Sequence, residues 1–337
     1  MITIDIKAPY LIFVGSETNE SYAKTGAGLV EWRPELCKGQ IGLSANCVDL
    51  GLPHMSLQEA VDAGIKSLII GTASIGGGIP EDWLDMLAAA AGLGLDIVAG
   101  VHTRLSDVPC LKDAARVSGA ALIDVRVPPK DLPVGTGQKR TGKRVLMVGT
   151  DCAVGKKYTA LALEKAMRQA GLKATFRASG QTGIMIAGRG IPIDAVVADF
   201  ISGAAEVLSP DNEEDHWDVI EGQGGIYHPG YSAVTLGLLI GSQPDAFVVC
   251  HEAGRSHIAG WDDFELPSIE EVIARTILLG SQVNPAIRCV GVSVNTSRLT
   301  SEERADYLAD LSAGLDLPCV DPIKTGTDAL INRLITE

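Results

Sequence analysis

The chain has 337 residues, which at roughly 100–200 residues per domain points to two domains with ample interior. Hydrophobic residues make up 46% and charged residues 21%, while aromatics are only 4% and 38 glycines imply many tight turns. A formal charge of -14 at pH 7 argues against a nucleic-acid partner, which needs Lys/Arg patches to displace counterions, so an anionic ligand has to be gripped locally.

No run of about 18 apolar residues is present, and the start MITIDIKAPYLIFVG lacks a basic segment followed by an apolar core. A cytoplasmic protein with no membrane partner is the expectation. Seven dispersed cysteines with no CxxC pair and no metal-like histidine spacing read as reduced thiols, and no metal site is expected. Cys250, Cys289 and Cys319 sit in or beside apolar runs and are expected in the core; Cys152 lies in a loop discussed below.

In chain order, residues 10–15, 67–71, 95–100 and 121–127 read as strands, and Leu57–Ala63, 82–93 and Val108–Ser118 as helices. Alternating strand and helix signals predict a parallel sheet covered on both faces, hence an α/β domain over residues 1–130. The glycine run Ile75–Ile79 reads as a tight turn, with an anion cradle as the alternative. Lys24, Thr25, Trp32 and Arg33 form a polar stretch whose role the sequence does not give. Pro128–Arg144, rich in Pro, Gly and basic residues, has no apolar period; 131–143 is taken as the linker.

The second domain, 144–337, opens with a strand, 144–149, and a helix, 158–171. Further strands are predicted at 174–179, 194–200, 217–222, 246–250 and 289–294. Between the first strand and helix lies Gly149-Thr150-Asp151-Cys152-Ala153-Val154-Gly155-Lys156-Lys157. A strand, a glycine-framed loop, a lysine and a helix form the context of a phosphate loop, in which backbone N–H groups and the helix N-terminus face phosphate oxygens. Two departures stand out. Five residues separate the glycines rather than four, and Lys157 stands where Ser or Thr ordinarily offers a hydroxyl to magnesium.

The expected strand ends supply partners. Glu221 precedes Gly222-Gln223-Gly224-Gly225, Asp199 ends the 194–200 strand, and Ser179, Gln181 and Thr182 follow the strand at 174. His251, Glu252, Arg255 and His257 follow the strand at 246, while Tyr227 and His228 trail the glycine run. In a parallel sheet all these ends face the same side. His102 is a further candidate, with a surface role as the alternative.

The combination GTDCAVGKK and EGQGG resembles dethiobiotin synthetase over the second half. Across nearly the whole chain, including ASGQTG, DFISGAAE, EGQGG and the linker before RVLMVGTDCAVGKK, the sequence more closely resembles a bacterial family associated with D-glutamate (D-amino acid) N-acetyltransferases. The resemblance implies an α/β fold with an N-terminal Rossmann-like domain and a C-terminal P-loop NTPase-like domain with a mainly parallel sheet. It implies acetyl-CoA with its phosphates on Gly149, Thr150, Asp151, Cys152, Ala153, Val154, Gly155, Lys156, Lys157 and Tyr158, a mode that needs no magnesium. The amine must lose a proton before attacking the thioester, so Glu221, Asp199 and His251 are the candidate bases. Ser179, Gln181, Thr182, Arg189 and Arg255 are the candidate substrate-binding residues for a small amino acid.

A homo-oligomer is expected, and the resemblance implies an epimerase-like enzyme acting next on the product. The alternatives are an ATP- and Mg-dependent ligase or kinase of dethiobiotin-synthetase type and a non-catalytic nucleotide sensor.

Overall fold

The computed structural model describes residues 2–72 and 77–336, so Ile75 and Gly76 of the glycine run lie outside the described residues. The chain forms two compact units. One comprises 2–127 with 181–192, the other 128–180 with 193–337.

The elements of the first unit are β1 (Ile2–Thr3), β2 (Tyr10–Gly15), α1 (Lys24–Trp32), β3 (Cys37–Gly42), α2 (Leu57–Asp62), β4 (Ser67–Ile70), α3 (Leu84–Gly92), β5 (Asp96–Ala99), α4 (Pro109–Ser118) and β6 (Leu122–Asp124). The sheet order is β3-β2-β4-β5-β6, all pairs parallel. Every residue of β2, β4 and β5 is buried, the reason these strands read as continuous rather than alternating apolar runs. Ser56 and Glu59 form a capping box at α2, while α4 begins on Pro109 and stops at Gly119 in the left-handed region. Leu11, Phe13, Leu68, Trp83, Leu87 and Ile97 belong to one core cluster. The polar stretch at 24–33 is α1, and Gly26 allows its close packing: a Cβ there would lie 2.8 Å from Leu50.

The second unit begins with β7 (Lys143–Gly149), α5 (Lys156–Gln169) and β8 (Ala174–Arg177). The chain then contributes α6 (Gln181–Ala187) and β9 (Arg189–Gly190) to the first unit, where β9 pairs antiparallel with β1. It returns for α7 (Ile201–Leu208), β10 (Trp217–Ile220), α8 (Ser232–Ser242), β11 (Ala246–Glu252), β12 (His257–Ile258), β13 (Trp261–Glu265), α9 (Ile269–Gly280), β14 (Arg288–Asn295), α10 (Ser301–Leu315), β15 (Cys319–Val320) and α11 (Asp328–Thr336). The sheet, ordered β15-β14-β11-β7-β10-β8, is parallel throughout, and β12–β13 form a separate antiparallel hairpin. The central position of β7 puts the loop after Gly149 between the carboxyl ends of β10 and β11.

The predicted strand at 194–200 is not one. Two short 3-10 turns, Ile193–Ala195 and Ala198–Phe200, lead into α7. A brief apolar run without alternation does not define a strand, and here Val196 is buried while Val197 is 67% exposed. Cys289 and Cys319, expected in the core, are only half-buried; Cys250 is fully buried.

The stretch 128–142 carries no helix or strand, yet it is fastened to the second unit. Glu206 accepts the backbone N–H groups of Thr136 and Gly137 at 2.8 and 2.9 Å, and Arg140 donates to the carbonyls of Ser209 and Gly241. Arg144, wholly buried, donates to the carbonyls of Arg140, Thr141, Gly142, Ser209 and Pro210. Its charge is thereby solvated by peptide dipoles in place of water.

Candidate functional site

The loop's shape follows from its glycines. Gly155, at φ 106, is the N-cap of α5, a conformation open to glycine, and a Cβ on Gly149 would meet Val154 at 2.9 Å. Ala153 holds φ 55, an unusual value for a residue with a Cβ. Lys156 lies at the first position of α5, and its buried Nζ donates to the Asp151 carbonyl at 2.7 Å. Burial pushes the Lys156 pKa down, so an incoming anion would restore the charged form.

Asp151 anchors the loop. Its buried carboxylate accepts Arg255 Nη1 and the Ala259 N–H, both at 2.8 Å, and the Cys152 N–H at 2.6 Å. Arg255 also donates to the Cys152 carbonyl at 2.8 Å and pairs with Glu252, whose other oxygen lies 3.2 Å from Arg298. The guanidinium expected to meet substrate is thus engaged as a clamp on the loop. Cys152 is half-buried, and desolvation raises its thiol pKa, which disfavours a reactive thiolate.

Glu221, one residue past β10, is 4% exposed and accepts the N–H groups of Ser179 and Gly180 at 2.9 and 3.0 Å. Burial raises its pKa to about 7, opposed by those N–H groups and by the positive charge of Lys157. Ser179 Oγ donates to the Glu221 carbonyl at 2.6 Å and accepts Gln223 Nε2 at 3.0 Å. The next residue has to be glycine, since a Cβ on Gly222 would stand 1.6 Å from the Met147 carbonyl oxygen. On the other side of β7, His251 Nδ1 lies 3.2 Å from Thr150 Oγ1, and burial lowers its pKa.

His228, which the sequence marks only as following the glycine run, is a central residue. Its ring is 1% exposed and sits 4.6 Å from the Tyr231 ring and 4.7 Å from that of Trp261. Gly230 N–H donates to Nδ1 at 3.1 Å, so in the neutral ring Nε2 carries the hydrogen. Among the described residues that N–H has no hydrogen-bond partner; Asp151 Oδ1 is 3.8 Å away. Asp151, Cys152 and His228 bring donor atoms within 4.8 Å of one another, but the group suits a metal poorly. One imidazole nitrogen is engaged by Gly230, the other is protonated, and Arg255 already neutralises the carboxylate. The sequence places His228 after the glycine run but does not reveal its burial against Trp261, which lies on the β12–β13 hairpin some 30 residues further on.

The second unit therefore brings together the loop, Ser179, Glu221, His251 and Arg255. Asp199 is exposed in a 3-10 turn rather than at a strand end. Gln181, Thr182 and Arg189 belong to the first unit: Gln181 packs on Gly100, Thr182 Oγ1 lies 2.9 Å from Thr25 Oγ1, and Arg189 is exposed on β9. Among the described residues, no helix is long and apolar enough to cross a membrane.

Comparisons with known proteins agree with this architecture. Residues 133–331 match a family model described as a domain of unknown function (DUF1611_C), P-loop domain, and residues 40–128 match one described as a domain of unknown function (DUF1611_N), Rossmann-like domain. A D-glutamate N-acetyltransferase of Tritonibacter scottomollicae is 46% identical over 98% of this chain and 99% of its own length. Another so named, from a Pseudoalteromonas species, is 44% identical over 98% of this chain and its full length. The crystal structure of a DUF1611 family protein from Anabaena variabilis superposes with a TM-score of 0.90 at 32% identity, covering 98% of this chain and all of that one.

Proposed function

The chain belongs to the DUF1611 family, and from that premise we propose that it is an N-acetyltransferase that moves the acetyl group of acetyl-CoA to the amino group of D-glutamate. The observation that carries the reading is the pairing, on one sheet edge, of a phosphate-binding loop with a buried carboxyl group whose pKa is raised to about 7. The names of the two relatives supply the substrate.

In this mechanism the N–H groups at the start of α5 and Lys156 hold the phosphates of the donor. Glu221 takes a proton from the substrate ammonium, a task suited to a base whose pKa lies near the working pH. The freed amine attacks the thioester carbonyl, the C–S bond breaks, and the thiolate departs to be protonated, leaving an amide. His251, neutral and hydrogen-bonded to Thr150, is the second candidate for proton transfer.

The test is a thiol-release assay with acetyl-CoA and a panel of D- and L-amino acids, without ATP or magnesium, on the wild type and on Lys156→Ala. Release that requires D-glutamate and collapses in the variant is the expected result. No release, with ADP formed once ATP, magnesium and candidate acids are supplied, would instead assign the protein to the ligase or kinase class.

A further inference from the structure

A phosphate loop ordinarily works with a divalent cation, held by a hydroxyl after the loop lysine and supported by an acid at the end of a neighbouring strand. The residues of this chain do not fit that ion. Lys157, the second residue of α5, takes the place of the hydroxyl. Its Nζ lies 4.8 Å from the centroid of the Tyr158 ring, and its charge favours the ionised form of Glu221.

The acids around the loop are already engaged. Glu221 Oε2 accepts two backbone N–H groups, Asp151 is held by Arg255 and Ala259, and Glu252 is paired with Arg255 and Arg298. An ammonium group and a divalent ion cannot share the position without repulsion.

We propose that Lys157 is the resident substitute for the divalent cation: the loop binds its phosphate-bearing ligand without metal, and Lys157 discriminates against magnesium-bound nucleotides. The identity of the ligand as a coenzyme A thioester rests on the function proposed above; the metal-free mode of binding does not. Acyl transfer suits such a site, because no P–O bond is made or broken and the phosphates serve only as a handle. A permanent charge is sufficient for holding them.

The experiment is calorimetric titration of the full chain with ADP and with coenzyme A, each in EDTA and in excess magnesium. Wild-type affinity for coenzyme A is expected to agree within about twofold between the two buffers, while ADP, which is magnesium-bound in the second, is expected to bind more weakly there. Lys157→Gln should weaken both ligands by roughly tenfold or more, and Lys157→Thr, which restores the hydroxyl, should bind ADP more tightly with magnesium than without. Lys157 is partly exposed, so both variants are expected to melt with the wild type.

The proposal is overturned by any of three results: magnesium leaving ADP binding to the wild type unchanged or stronger, Lys157→Gln binding like the wild type, or Lys157→Thr remaining indifferent to magnesium. Failure to bind either ligand in EDTA contradicts it equally. Metal-free binding with no acetyl transfer to any amine would leave this inference standing and remove the transferase reading.

Discussion

His228 Nε2 stands 3.8 Å from Asp151 Oδ1 at the foot of the phosphate loop, the one a buried donor with no hydrogen-bond partner among the described residues, the other a carboxylate already held by Arg255. The imidazole therefore serves the loop mainly by filling space between Tyr231 and Trp261. His228→Ala should cost ~2–3 kcal/mol through the cavity it opens, read as a lower denaturation midpoint at unchanged m-value.

Burial lowers the pKa of both His228 and His251 from the ordinary 6.5. In that range the unfolded chain binds more protons than the folded one. Their contribution is fully present above pH 6.5 and is lost as pH falls through the folded values. Between pH 7.5 and 5 the wild-type denaturation midpoint should fall relative to that of His228→Phe. Equal slopes would show that His228 takes no part.

For Glu221 the sign is opposite. Its folded pKa of about 7 exceeds the ordinary 4.5, so its ionisation erodes stability as pH rises between those values and adds no further loss above them. The ionised form is also the base, so kcat/KM should climb to a plateau through about pH 7. Glu221→Gln should lower the rate by ~10²–10⁴-fold and abolish that limb. A retained limb would shift the role of base to His251.

Lys156→Met separates binding from folding. The lysine is buried and its charge is disfavoured by desolvation, so an apolar replacement of similar length should leave stability within ~1 kcal/mol. Affinity for acetyl-CoA should nevertheless drop on the order of 10–100-fold, since the anion loses its point charge. Parallel melting and titration experiments check both halves of the claim.

Gly222→Ala should be the most damaging small change near the site. The added methyl would need to sit 1.6 Å from a main-chain oxygen of the central strand, which can yield only if β7 and β10 part. A loss of ~3 kcal/mol or more is expected, visible as insoluble expression or a much lower melting temperature.

Much of this was legible in the sequence, for physical reasons. Buried parallel strands such as YLIFVG and RVLMVG announce themselves as unbroken apolar runs, and the loop announces itself because glycine and lysine are needed at fixed offsets. Glu221 was legible because a strand end followed by glycines puts an acid on the loop side of the sheet. Asp199 was misplaced because two valines imitate a strand. The role of Arg255 was hidden because nothing local to residue 255 reveals that its partners are Asp151 and Cys152, about a hundred positions earlier. The composition of α6 gave no hint that the unit it completes lies on the other side of the linker.

That last arrangement bears on how the chain is made. Synthesis releases residues 2–127 first, but the set is short of one helix until residue 192 has emerged, by which time the phosphate loop and α5 are already outside. Until then Thr25 lacks Thr182 and Arg33 lacks the carbonyl of Ile186. The apolar surface that will receive Ile184, Met185 and Ile186 waits uncovered, the kind of surface that invites aggregation during synthesis. For the same reason, cutting the gene between 127 and 128 would yield neither a complete first unit nor a clean second one, because residues 181–192 would stay with the wrong half.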